Sequence, residues 1–159
     1  MQITIENRTF EKQNIMYMPV TLKHEEMFDT ARFFMKIGMQ LFQTGGRGSG
    51  ASFIRWVGTN EDFVDLEICI QVEELVEESE DGSIKAAIFE ESIGKYAVGL
   101  HKGARKLPED IGAAYTKMQA YLVENNLQYT GAPIIQFNLN NIHQVPEDEL
   151  LTELLFPVY

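Results

Sequence analysis

Two glutamates hold the same place in two similar stretches of this chain. Leu66-Glu67-Ile68-Cys69-Ile70-Gln71-Val72 lines up with Thr152-Glu153-Leu154-Leu155-Phe156-Pro157-Val158. Alternate residues of a strand share a face. Glu153 therefore shares one face with Leu151, Leu155 and Pro157, and Thr152, Leu154, Phe156 and Val158 form the other. Both faces are mostly apolar, which predicts a central strand covered on both sides. An ionised carboxylate is costly there unless it is paired. Two uses stay open for it: an internal Lys, Arg or Tyr partner, or a cationic or hydrogen-bonding ligand. Glu67 shares its face with Asp65, Cys69 and Gln71, a more polar set, so a solvated strand residue is an equal reading of it.

Aromatic residues stand where they could complete such a site. Trp56, the single tryptophan, lies in Phe53-Ile54-Arg55-Trp56; Tyr96, Tyr115, Tyr121 and Phe137 lie further along. An aromatic wall beside a carboxylate suits a flat, lipophilic cation, through cation–π attraction and charge pairing. The candidate ligand-binding set is Glu153, Glu67, Trp56, Tyr96, Tyr115 and Phe137. On the ligand reading, Glu153→Gln weakens cation binding by about ten- to a hundredfold.

The elements that must position these residues come in duplicate. Phe10-Glu11-Lys12-Gln13-Asn14-Ile15-Met16-Tyr17 lines up with Phe89-Glu90-Glu91-Ser92-Ile93-Gly94-Lys95-Tyr96. The first half reads as strands at 2–6 and 14–22 and a helix over 26–42. The predicted buried stripe of that helix is Phe28, Ala31, Met35, Met39 and Phe42. A strand pair at 53–57 and 64–72 follows. The second half reads as strands at 83–91 and 95–101, then a helix opened by Leu107-Pro108-Glu109-Asp110. Its stripe is Ile111, Ala114, Tyr115, Met118 and Leu122, and Asn125-Asn126 ends it. Strands at 134–139 and 150–158 close the chain. Hairpins mixed with helices give an α+β class. The expectation is two strand–helix–strand–strand repeats related by a pseudo-twofold axis, forming one antiparallel sheet with two long helices and a central groove. One domain, 1–159, holds repeat one at 1–72, an acidic connector at 73–82 and repeat two at 83–159.

Composition narrows the function. At 159 residues, with 45% hydrophobic and 11% aromatic residues, the chain can bury a sizeable core. No apolar run reaches membrane-spanning length, and Met1-Gln2-Ile3-Thr4-Ile5-Glu6 lacks the features of a signal peptide. The single Cys69 forms no internal disulfide, so a reducing cytoplasm is expected. The formal net charge is −11 and the basic residues are scattered, which argues against direct nucleic-acid binding. His24, His101 and His143 have no ligand spacing, so no metal or other cofactor is expected. Gly45-Gly46-Arg47-Gly48-Ser49-Gly50 lacks the Lys-Ser/Thr of a phosphate loop, and no serine or cysteine sits in a nucleophile motif.

At this point the residues resemble the gyrase-inhibitor-like effector-binding domains. Tyr96-Ala97-Val98-Gly99-Leu100-His101-Lys102-Gly103 resembles that family's Y-A-V-x-x-H-x-G strand. Thr152-Glu153-Leu154-Leu155-Phe156-Pro157-Val158 resembles its E-x-x-x-P-V terminal strand, and Gly131-Ala132-Pro133 stands between. Phe53-Ile54-Arg55-Trp56 and Asp65-Leu66-Glu67-Ile68 resemble the paralogous motifs. Gln71 departs from the pattern by replacing a proline, and Gln136 or Phe137 occupies the usual tyrosine region. The resemblance implies a stand-alone domain that binds small, often cationic and aromatic molecules through a buried Glu and surrounding aromatics. Such domains occur in bacterial multidrug-responsive transcription regulators, and others act as gyrase modulators or as hydrolases of cyclopropane-containing toxins. The reading is a cytoplasmic small-molecule-binding domain, with no membrane and no direct nucleic-acid partner. A glutamate-dependent hydrolase and a protein-interaction module, with a protein partner or second copy, are the alternatives.

Overall fold

Eight antiparallel strands form one sheet, and their order is a palindrome. The computed structural model describes residues 1–90, 94–141 and 144–159. Glu91, Ser92 and Ile93 of one sequence match, and His143, lie outside the described residues. The strands are β1 (Ile3–Arg8), β2 (Gln13–Lys23), β3 (Ser52–Thr59), β4 (Phe63–Val72), β5 (Lys85–Phe89), β6 (Gly94–Lys102), β7 (Ile134–Asn138) and β8 (Leu151–Pro157). The helices are α1 (Ala31–Gln43) and α2 (Ala113–Glu124). Across the sheet the order is β1-β6-β8-β7-β3-β4-β2-β5. The pair β3 and β7 is central, and each strand outward on one side has its counterpart on the other. The fold is α+β, as the duplicated pattern implies. Each repeat also lends its first strand to the other: β1 pairs with β6, and β5 with β2.

Register refines the duplication. With Glu67 and Glu153 equivalent, Cys69 corresponds to Leu155. Cys69 lies opposite Tyr17 and Leu155 opposite Val98, so Tyr17 corresponds to Val98 and not to Tyr96. The two sequence matches are out of step by two residues, a slip that leaves every side chain on its own face.

The sheet must curl. The chain travels from Arg8 on one edge to Gln13 on the seventh strand. Those five residues reach at most about 18 Å, whereas six flat inter-strand steps would need about 29 Å. Phe10, inside this connection, touches Phe89 of β5, Tyr96 of β6 and Phe137 of β7, with centroids at 6.2, 5.9 and 6.0 Å. The inner face of the roll is a core of Ile15, Phe53, Cys69, Phe89, Tyr96, Val98, Ile135 and Leu155.

Both helices lie on the outer face. α2 buries the stripe its spacing predicts: Ile111, Ala114, Tyr115, Met118 and Leu122. Its entry is a π-type turn, Pro108–Gly112, in which the Asp110 carboxylate accepts a bond of 3.1 Å from the Leu107 N–H. Asn126, at φ 52°, turns the chain out of the helix. α1 differs from expectation. It buries Phe33, Ile37 and Leu41, and Met35, Met39 and Phe42 are exposed at 67, 58 and 86%. The helix is apolar on two opposite sides, so spacing alone could not say which side meets the sheet. It also begins later than expected, because His24–Glu26 forms a separate 3-10 turn.

Candidate functional site

The six candidate residues fall on two faces. Glu153, Glu67, Tyr96 and Phe137 point into the roll, whereas Trp56 and Tyr115 lie on the outer face beneath the helices. No single cavity can be walled by all of them.

On the inner face both glutamates are paired. Arg8 Nη1 and Nη2 donate to the two carboxylate oxygens of Glu153 at 3.2 and 2.8 Å. The two side chains are 30 and 19% exposed. The hydrogen bond to Glu153 is the main cause of a raised Arg8 pKa. Glu67 accepts from Arg55, which stands opposite it on β3 and also lies over the Phe89 ring at 5.4 Å. Glu153 lies opposite Phe137 at the matching position of β7. Arg8, in turn, matches Phe89 by register, opposite Gly94 and Gln13 respectively. Each glutamate therefore has an arginine, Arg55 from the adjacent strand β3 for Glu67 and Arg8 from β1, two strands away across β6, for Glu153. Cys69 lies beside Glu67, and burial pushes its thiol pKa up.

On the outer face the two helices flank the seam between the repeats. α1 packs on β2 and β4 and α2 on β6, so β3 and β7 run between the helices. Three rings fill one end of this strip. Trp56 lies 5.0 Å from Tyr115 and 5.9 Å from Phe28, and Phe28 lies 5.6 Å from Tyr115. Phe28 comes from the segment before α1 and reaches across to the second repeat. Gly112 admits it: a β-carbon there would stand 3.2 Å from the Phe28 ring. A β-bulge between Trp56 and Gly58 breaks the β3 ladder next to the tryptophan.

Polar groups continue along the strip. The Tyr115 hydroxyl donates to Gln136 Oε1 at 2.8 Å. Gln136 Nε2 donates to Asn138 at 3.3 Å, and Asn138 Nδ2 to Ser52 Oγ at 3.2 Å. Beyond them Arg105 Nε donates to Thr152 Oγ1 at 2.6 Å, and burial lowers the Arg105 pKa to about 10. Tyr115 is held well above the ordinary tyrosine range by burial, which the neighbouring Trp56 N–H only partly offsets. That indole N–H is itself buried and lies off hydrogen-bond geometry from any acceptor. Native interiors rarely leave such a donor unmet.

Sequence reasoning singled out Trp56 and Tyr115 but not Phe28, Gln136, Asn138 or Ser52, which the structure links to them by ring contacts and hydrogen bonds. Gln136 offered a signal, being an uncharged polar residue between Ile135 and Phe137 in a short apolar strand. Phe28 offered none, since its spacing matched a helical stripe. Among the described residues no cluster of His, Cys, Asp or Glu could hold a metal ion. No helix there is long and apolar enough to cross a membrane.

Comparison with known proteins places the chain. The description of the GyrI-like small molecule binding domain matches residues 1–159. The chain belongs to this family. Among solved structures, the C-terminal domain of EcmrR is similar at a TM-score of 0.78 and 16% identity, covering 100% of this chain and 99% of that one. In an EcmrR–DNA complex the match covers 98% of this chain and 57% of the regulator, at a TM-score of 0.75 and 15% identity. SAV2435 bound to tetraphenylphosphonium matches at 0.58 and 14% identity, covering 100 and 94%. At these identities the likeness is one of fold. Among curated proteins, no sequence matches this one. As a GyrI-like domain the protein is a small-molecule-binding module, and its duplicated sheet is the family architecture.

Proposed function

We propose that this GyrI-like domain holds a small, lipophilic aromatic molecule, organic cations included, in a groove between α1 and α2. Trp56 and Tyr115 supply the ring faces, and Gln136 and Asn138 supply polar contacts along the floor. Phe28 is the side chain that yields its place to the ligand. The observation that carries this reading is the aromatic cluster of Phe28, Trp56 and Tyr115, which bridges the two repeats and holds the buried Trp56 N–H off hydrogen-bond geometry. Ring faces attract cations without any carboxylate. A SAV2435 structure contains tetraphenylphosphonium, which supports the choice of probe. The inner-face glutamates are already engaged by Arg8 and Arg55, so this reading does not rely on them.

Calorimetric titration with tetraphenylphosphonium tests it. Trp56→Leu should weaken binding by about tenfold or more, since a desolvated cation–π contact is worth about 2 kcal/mol. Glu153→Gln should leave affinity within about threefold, a shift under roughly 1 kcal/mol. The reverse pattern would move the ligand to the inner face and restore Glu153 as its counter-ion.

A further inference from the structure

The outer side of α1 is unusual for a protein surface. Met35, Met39 and Phe42 lie at helical spacing and are 67, 58 and 86% exposed. Ala31, also exposed, continues the line toward the helix start. The buried side of the same helix, with Phe33, Ile37 and Leu41, already packs on the sheet. A helix that is apolar on both sides is ordinarily buried on both. Methionine-rich stripes are soft and fill varied partner shapes.

An acidic cleft lies just past the last turn of the same helix. At the end of α1 a cavity of about 650 Å³ is lined by residues 43–47 and 73–77, including Glu73, Glu74, Glu77 and the half-exposed Leu75. Gln40 Nε2 donates to the Glu77 carbonyl at 3.2 Å, which ties this acidic connector to the helix. The last turn of α1 has no basic side chain, so its carbonyl end adds negative potential to the glutamates. Arg47 is the only cation in the cavity lining. A second copy of the chain would itself carry a net charge of −11, and like charges across an interface are costly.

We propose that this surface docks a segment of a partner protein: an amphipathic helix with an apolar ridge and a cluster of Lys or Arg at one end. The ridge covers Met35, Met39 and Phe42, and the basic end enters the cleft beside Glu73, Glu74 and Glu77. The surface is separate from the proposed ligand groove and does not depend on what binds there.

Two synthetic helical peptides with the same leucine ridge test the inference, one ending in lysines and the other in glutamates. Fluorescence anisotropy should show saturable binding of the lysine peptide. Met39→Ser with Phe42→Ser should weaken it by about tenfold or more, as truncation of central apolar anchors does. Glu74→Gln with Glu77→Gln should weaken it and flatten its salt dependence. The glutamate peptide should bind at least about tenfold more weakly, the expected result of placing like charges together. All four substituted side chains lie at the surface, and unchanged thermal unfolding confirms that the variants fold. Absence of saturable lysine-peptide binding, equal binding of both peptides, or indifference to the Met39 and Phe42 changes would overturn the proposal. So would sedimentation showing that the unmodified protein self-associates and that Met39→Ser with Phe42→Ser abolishes the association, which would make a second copy the occupant.

Discussion

At the scale of single residues, charge on this protein is used pairwise. Glu153 has its apolar same-face neighbours, as alternation implies, and the cost of its charge is met by both guanidinium nitrogens of Arg8. Bidentate pairs of this kind are the stronger ion pairs. The two groups keep some solvent contact, which reduces what the pair contributes. Glu153→Gln should therefore lower unfolding free energy by only about 1 kcal/mol, because Arg8 keeps solvent contact and its pairing with Glu6 at 3.5 Å. Chemical denaturation measures it. A variant as stable as the parent would mean that the pair is idle and Glu153 is free for another partner. Trp56 and Tyr115 play a different part: their rings share one contact network with Phe28 on the outer face of the sheet.

At the scale of elements, α1 shows how a periodic pattern can be ambiguous. Two apolar lines run along it on opposite sides, and each has helical spacing. Only contact with β2 and β4 selects Phe33, Ile37 and Leu41 for the core. Ile37, fully buried, should cost about 2–5 kcal/mol when changed to Ala. Met39→Ala should stay within about 0.5 kcal/mol, as surface changes do. Urea unfolding of the two variants checks this, and the opposite ranking would mean that α1 is rotated by half a turn. α2 presents no such ambiguity, because its outer side carries Thr116, Lys117, Gln119 and Glu124 with small alanines, and Val123 is its one large exposed apolar residue.

At the scale of the whole molecule, the connection from β1 to β2 closes the roll. Its residues cross the inner face, where Phe10 meets three rings from three strands and Lys12 pairs with Glu90 at 3.7 Å. Phe10→Ala should cost about 1–3 kcal/mol, less than a fully enclosed phenylalanine. Arg8→Ala and Phe10→Ala should be non-additive, because both side chains anchor one short strap. A double-mutant cycle by thermal unfolding tests this. Strict additivity would show that the two anchors act independently and that the strap does not move as a unit. The net charge of −11 also predicts that association with cationic ligands slows as salt rises.

The sequence by itself determined the duplication, the α+β class, the buried stripe of α2 and the apolar flanks of Glu153. These are local properties: alternation, helical spacing and turn residues act over a few positions and need no distant partner. The family pattern in Tyr96–Gly103 and Thr152–Val158 was legible for the same reason. The tertiary structure alone decided which face each candidate occupies. Glu67 and Trp56 lie on different sides of one sheet because register, a long-range property, sets the side on which each strand's alternation falls. Arg8 reaches Glu153, far along the chain, only because the sheet curls. Phe28 packs closely on Gly112 of the other repeat, where an added β-carbon would stand 3.2 Å from its ring. Such contacts join residues that no local pattern connects, so they appear only once the strands have their order and the sheet its curvature.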